Sequence, residues 1–301
     1  VIGYSAARYF ANTANSNVII GDNAAAVSVG CNSCVIIGQA AGLNNTASQL
    51  IAIGSEAAYT NTTGARNTVI GHGALKLNAT GQNNVAIGYE AMYNLATLSN
   101  NTAVGYQALY STTTDGNTAF GYHAGLSSTT GGSNTFIGQQ CHALNQTGYG
   151  NTSLGMQTAY NGTGGIQNTY IGYAAGYGQT GTGGHYNTCV GFYASKTIGA
   201  GNTHNTTMGY YAGGGSGSGV FSGDANTTIG SYCGTILTSG AQNTFVGQSA
   251  GSNVTSGSNN TCLGYDADTP SNSSTNTIVL GNSSVSSLQC QVQTISALSD
   301  K

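Results

Sequence analysis

The side chains able to do chemistry in this chain are few and badly placed for it. Its 301 residues include five histidines, His72, His123, His142, His185 and His204, and no HxH or HExxH spacing. Three copies of one histidine around a symmetry axis would suffice to hold a metal, but solvent-facing or turn histidines are the plainer expectation. The eight acidic residues are scattered. The closest pair, Asp266 and Asp268, stands beside the single proline, Pro270, where a turn role is the better reading. A glycosidase needs two carboxyl groups flanking a bond, and no such pair is visible. Of seven cysteines, only Cys31 and Cys34 are close, and one CxxC without a second pair is a weak zinc or redox signal. Cys141 and Cys233 stand where other segments carry Ala and read as small core residues. A glycine-rich phosphate loop needs a strand, a following helix and a positive environment, and none is indicated. No cofactor or metal is expected, and the chain reads as a non-enzyme.

Composition narrows the partners. Charged residues make up 4% of the chain and the net charge is −3, so there is no basic patch for nucleic acid. No apolar run is long enough to span a membrane. Glycine accounts for 48 residues, a level that often means disorder. Here the apolar fraction is 39% and regularly spaced, which argues for an ordered fold.

The elements that must position everything are repeats. A β-branched residue, a free position, an apolar residue and a glycine recur seventeen times, from Gly3 to Gly281. Gly71, Gly88, Gly105, Gly121, Gly138 and Gly155 mark the central copies; most intervals are 17 residues and the longest is 21. The alternation is that of a strand with one constrained face. The residue directly after Gly is mixed in character (Tyr89, Gln139, Ser231, Asp22), unlike the apolar residue before it. This predicts that the glycine bends the chain and resets its facing. A second short strand would then carry inward the small residue three positions on, such as Ala108 or Ala124. Asn precedes the β-branched position in most copies, including Asn67, Asn101 and Asn117. Stacked in register, such residues form amide ladders. One repeat cannot bury its apolar residues alone, whereas a stack can. The predicted fold is all-β: a parallel β-solenoid of about seventeen 17-residue coils, a rod on the order of 80 Å at about 4.8 Å per coil.

The segments NNVAIGYEAMYN (83–94), NNTAVGYQALYS (100–111) and GNTAFGYHAGLSS (116–128) resemble two related families. One is the head repeat of trimeric autotransporter adhesins, a left-handed parallel β-roll. The other is the NTAIGYQAL-type repeat of phage and large-virus tail fibres, which the Tyr-rich form here favours. The final segment, NTIVLGNSSVSSLQCQVQTISALSDK (276–301), looks like the lead into the intramolecular chaperone domain of such fibres. That domain opens with a Ser-Asp motif and cleaves itself beside a Ser, which by resemblance makes Ser299 a processing junction. The resemblance implies a repeat shaft over 1–285 and a C-terminal lead over 286–301. It also implies a homotrimer on a virion surface or outside the cell, with a host-surface glycan or protein as a further partner. A bacterial surface adhesin, a self-assembling extracellular filament and a polysaccharide-cleaving enzyme are the alternatives. The chain starts at Val1, inside a repeat and without Met, as a fragment or processed product would.

Three further features invite a functional reading. Aromatic residues recur directly after the glycine (Tyr89, Tyr106, Tyr122, Tyr173, Tyr210, Tyr265), a stripe suited to packing or, less simply, to sugar stacking. The repeat lengthens between Gly172 and Gly230, with GGGSGSG at 213–219 as a bulge. Asn-x-Ser/Thr triplets at Asn61, Asn78, Asn145 and Asn253 match the glycosylation pattern but are expected by chance in so Asn- and Thr-rich a chain.

Overall fold

The computed structural model describes residues 1–10, 15–94, 96–144, 147–178, 184–214 and 220–289. Ser299 and most of the 213–219 bulge lie outside these. Sixteen three-residue strands, from β1 (Val18–Ile20) to β16 (Ile278–Leu280), form one parallel sheet in strict chain order. Each residue pairs with its equivalent one coil on, as Thr118 with Thr135 and Phe120 with Ile137. The first glycine, Gly3, is preceded by Val1 and Ile2, and Ile2 makes a single bridge to Ile20. The chain is therefore a parallel β-solenoid of about fifteen turns, and fifteen spacings of about 4.8 Å make a stack roughly 70 Å long. The longer intervals do not disturb it, since Thr188, Thr206 and Thr227 remain in register. Among the described residues no helix is long and apolar enough to cross a membrane.

The facing of the strand differs from expectation. The free middle position, not the constrained one, points into the coil: Ile36, Val69, Ala103, Phe136 and Tyr170 are fully buried. The β-branched and pre-glycine residues flank it on the outside, half-buried or exposed. The residue after the glycine is also outside, so the glycine does not reset the facing, and no second strand follows it. A turn closes instead, with the Ala108 N–H donating to the Gly105 carbonyl at 3.3 Å. The inward rotation comes from left-handed residues two and four positions after the glycine, such as Gln107 (φ 51°) and Leu109 (φ 50°). A third left-handed corner lies five positions before it, as at Asn100 (φ 62°). These corners cost about 1 kcal/mol or more each. They are offset by backbone bonds between coils, such as Gln107 N–H to Tyr89 O at 2.9 Å and Leu109 N–H to Ala124 O at 3.0 Å.

The repeat glycines are required twice over. Gly105 has φ +140°, and a Cβ there would collide with the carbonyl oxygen of Gly121 in the next coil. The small residues three positions on, Ala108 and Ala124 among them, are fully buried.

Candidate functional site

Two kinds of surface deserve a functional test: the columns inside the coil and the flat sheet outside it. Inside, the asparagines form a ladder that runs unbroken from Asn67 to Asn260. The side chain of Asn67 donates to Gly81 O at 2.8 Å and accepts from the backbone N–H of Asn84 at 2.9 Å. Asn101 in turn accepts from the N–H of Asn117 at 2.8 Å. The same geometry continues through Asn134, Asn151 and Asn168. Each amide thus clamps the turn of the next coil and satisfies buried backbone groups. A second ladder runs through Asn45, Asn61 and Asn78, linked side chain to side chain at 2.6 and 3.0 Å. Asn61 and Asn78 are therefore buried hydrogen-bonding residues and closed to glycosylation. Asn253 is half-buried and donates to Thr269 O at 2.7 Å; Asn145 lies outside the described residues.

One histidine buries its side chain in the core, although its backbone lies in a turn as expected. His142 is 1% exposed, with Nδ1 2.8 Å from Ser153 Oγ and the ring of Phe136 at 5.0 Å. Burial pushes its pKa down to about 3. Beside it Cys141 accepts from Thr158 Oγ1 at 3.0 Å, and burial raises its thiol to about 12. Cys233 is likewise buried, its thiol raised by burial to about 12. None of these groups reaches solvent. Nothing in the histidine's sequence context marked it; the clue was its position, four residues after Gly138, where other coils carry Leu75, Met92, Leu109 or glycine.

Outside, one column is threonine in ten consecutive coils, from Thr102 to Thr261, with an apolar column beside it. Phe120 in that second column is 57% exposed, and Ile137, Leu154, Met208 and Leu263 are exposed as well. The aromatic column follows. His72, Tyr89, Tyr106 and Tyr122 stack at 5.3, 5.1 and 5.4 Å between centroids, and Tyr173, Phe192 and Tyr210 at 5.1 and 5.2 Å. Gln139 and Met156 separate the two stacks. Within a stack the inner rings, such as Tyr89, Tyr106 and Phe192, are covered on both faces by their neighbours and turn their edges outward. Next to the first stack, Gln107 bridges Glu90 (2.8 Å) and His123 (2.9 Å).

The acidic pair does not converge. Asp266 is an exposed left-handed corner, while Asp268 accepts from Ser252 Oγ at 2.9 Å and from the N–H of Asn253 at 3.2 Å. Among the described residues no three metal-ligating side chains come together. No protein-family model matches the chain, and no curated protein matches it. The parallel β-solenoid is compatible with a repeat fibre or a β-roll.

Proposed function

We propose that the chain is a structural shaft: a fibre of a virus or phage, built from parallel solenoids side by side in a homotrimer and serving host attachment. The observation that carries this is the outward sheet face. Its strands carry no charged residue, and from Thr102 to Leu263 it is lined by threonine and large apolar side chains that a single chain leaves partly uncovered. An apolar surface this continuous is unusual on a monomer and marks an association site. Parallel copies in register would oppose equal columns, each covering the other's Ile, Leu and Phe side chains. The solenoid acts by shape and rigidity, with no chemical step.

Light scattering of the purified chain is expected to return three times 30.1 kDa; a stable monomer overturns the trimer. Immunolabelling in the electron microscope is expected to mark projecting fibres on virus particles. Label on a bacterial envelope would instead support the adhesin reading.

A further inference from the structure

Cys31 and Cys34 stand apart from the other buried cysteines. Both are fully buried and unbridged, and they flank one turn, with the Cys34 thiol donating to Ala47 O at 3.4 Å and to Asn32 O at 3.6 Å. The asparagine clamp of the preceding coil falls on this very pair. Asn17 Nδ2 donates to Cys31 O at 2.8 Å, and Asn17 Oδ1 accepts from the Cys34 N–H at 2.9 Å and from the Cys31 thiol at 3.7 Å. In other coils the clamped positions carry residues such as Gly81 and Asn84, or Gly148 and Asn151, which have no sulfur chemistry. Here the clamp holds the backbone of both cysteines, and the Cys31 thiol, across a tight turn closed by the left-handed Ser33 (φ 57°).

We propose that Cys31 and Cys34 are an oxidisable dithiol, preset by Asn17, that closes to an intramolecular disulfide on reaction with a small-molecule disulfide. The Cys34 thiolate attacks one sulfur of the oxidant, forming a mixed disulfide and expelling one thiolate. Cys31 then loses its proton and attacks the Cys34 sulfur, forming the Cys31–Cys34 bond and expelling the second thiolate. The protein loses two hydrogens, and the oxidant becomes two thiols once its products are protonated.

The surroundings assign the order of attack. Cys34 is lowered to about 7, chiefly by the neighbouring Cys31 thiol, with Asn45 Nδ2 also donating to its sulfur at 3.9 Å. A thiol with a pKa near ambient pH is the best attacker. Cys31 is held protonated, chiefly by its proximity to Cys34 and by burial. By contrast, burial raises Cys141, Cys189 and Cys233 to about 12, which leaves them inert. Access comes from local opening of this coil. The asparagine ladder is interrupted here, because Cys34 and then Leu50 occupy its positions, so fewer side-chain bonds resist opening.

The test is to incubate the full chain at neutral pH with oxidised glutathione and map its cysteines by mass spectrometry. The expected product joins Cys31 to Cys34, with a loss of two hydrogens. Cys31→Ser is expected to trap the glutathione adduct on Cys34, and Cys34→Ser to leave Cys31 unmodified. Asn17→Ala is expected to let the mixed disulfide accumulate several-fold, as a loosened turn closes more slowly. Glutathione adducts on the wild-type pair without the crosslink overturn the proposal, as does recovery of both residues as free thiols. The wild-type map alone decides if a variant fails to fold.

Discussion

At the scale of the residue, the solenoid depends on side chains that satisfy or spare its interior. Asn134 accepts from the N–H of Asn151 at 2.9 Å and donates to Gly148 O at 2.9 Å, both buried. Asn134→Ala would remove both bonds and leave the buried Asn151 N–H without its side-chain acceptor. The expected cost is about 3 kcal/mol in denaturant unfolding, against about 1 kcal/mol for Asn100→Ala at an exposed left-handed corner. His142 makes stability depend on pH. In the unfolded chain it takes its proton near 6.5, but in the folded one only near 3. Between those values the unfolded state binds more protons, so its contribution is complete above about pH 6.5 and lost as pH falls toward 3. Thermal melts from pH 7 to 4 are expected to show falling stability. His142→Gln, which still reaches Ser153, is expected to flatten that slope.

At the scale of the coil, the interior is filled by two positions that trade volume. In some coils a small middle strand residue goes with a large residue four after the glycine, as Ala86 with Met92 and Ala103 with Leu109. Where it is large, glycine takes the other place, as Tyr170 with Gly176 and Phe245 with Gly251; a Cβ on either glycine would strike the ring. Phe136 finds its room at Gly125 in the preceding coil, where a Cβ would lie 2.6 Å from the ring. Phe136→Ala is therefore expected to cost about 3–5 kcal/mol, and Gly125→Leu alone to destabilise by overpacking. Together they are expected to cost clearly less than their sum, because Leu109 already occupies this position at φ 50°. A double-mutant cycle measures the coupling, and simple additivity would contradict the trade. The middle strand position looks unconstrained along the sequence only because its partner lies elsewhere in the coil.

At the scale of the molecule, the core is a chain of segments. Three apolar clusters follow one another, separated near Ser153 and Thr158 and again near Ser195 and Thr207, whose hydroxyls pair at 2.9 Å. Each coil leans on its neighbours, as in other quasi-one-dimensional folds. The outward sheet is continuous across these breaks, which suits it to lateral association. A paired Ile137→Glu and Leu154→Glu change puts carboxylates on that face without touching the interior. Light scattering is expected to show a smaller mass for this variant with its β-sheet circular dichroism retained. An unchanged mass would move the interface elsewhere.

Periodicity alone established the repeat, the parallel register, the glycine positions and the asparagine ladder, because each needs the same residue at the same point of every coil. The tertiary structure alone decided which face of the strand is interior. Alternation distinguishes two faces of a strand, but uniformity can arise either from a uniform core or from a uniform outer surface. Here the uniform columns are outside, where threonine and branched apolar residues suit an in-register sheet, and the varied column is inside. The burial of His142 and the clamping of Cys31 and Cys34 became visible only once the coils were stacked. Both depend on residues one coil away, and a column of neighbours exists only in three dimensions.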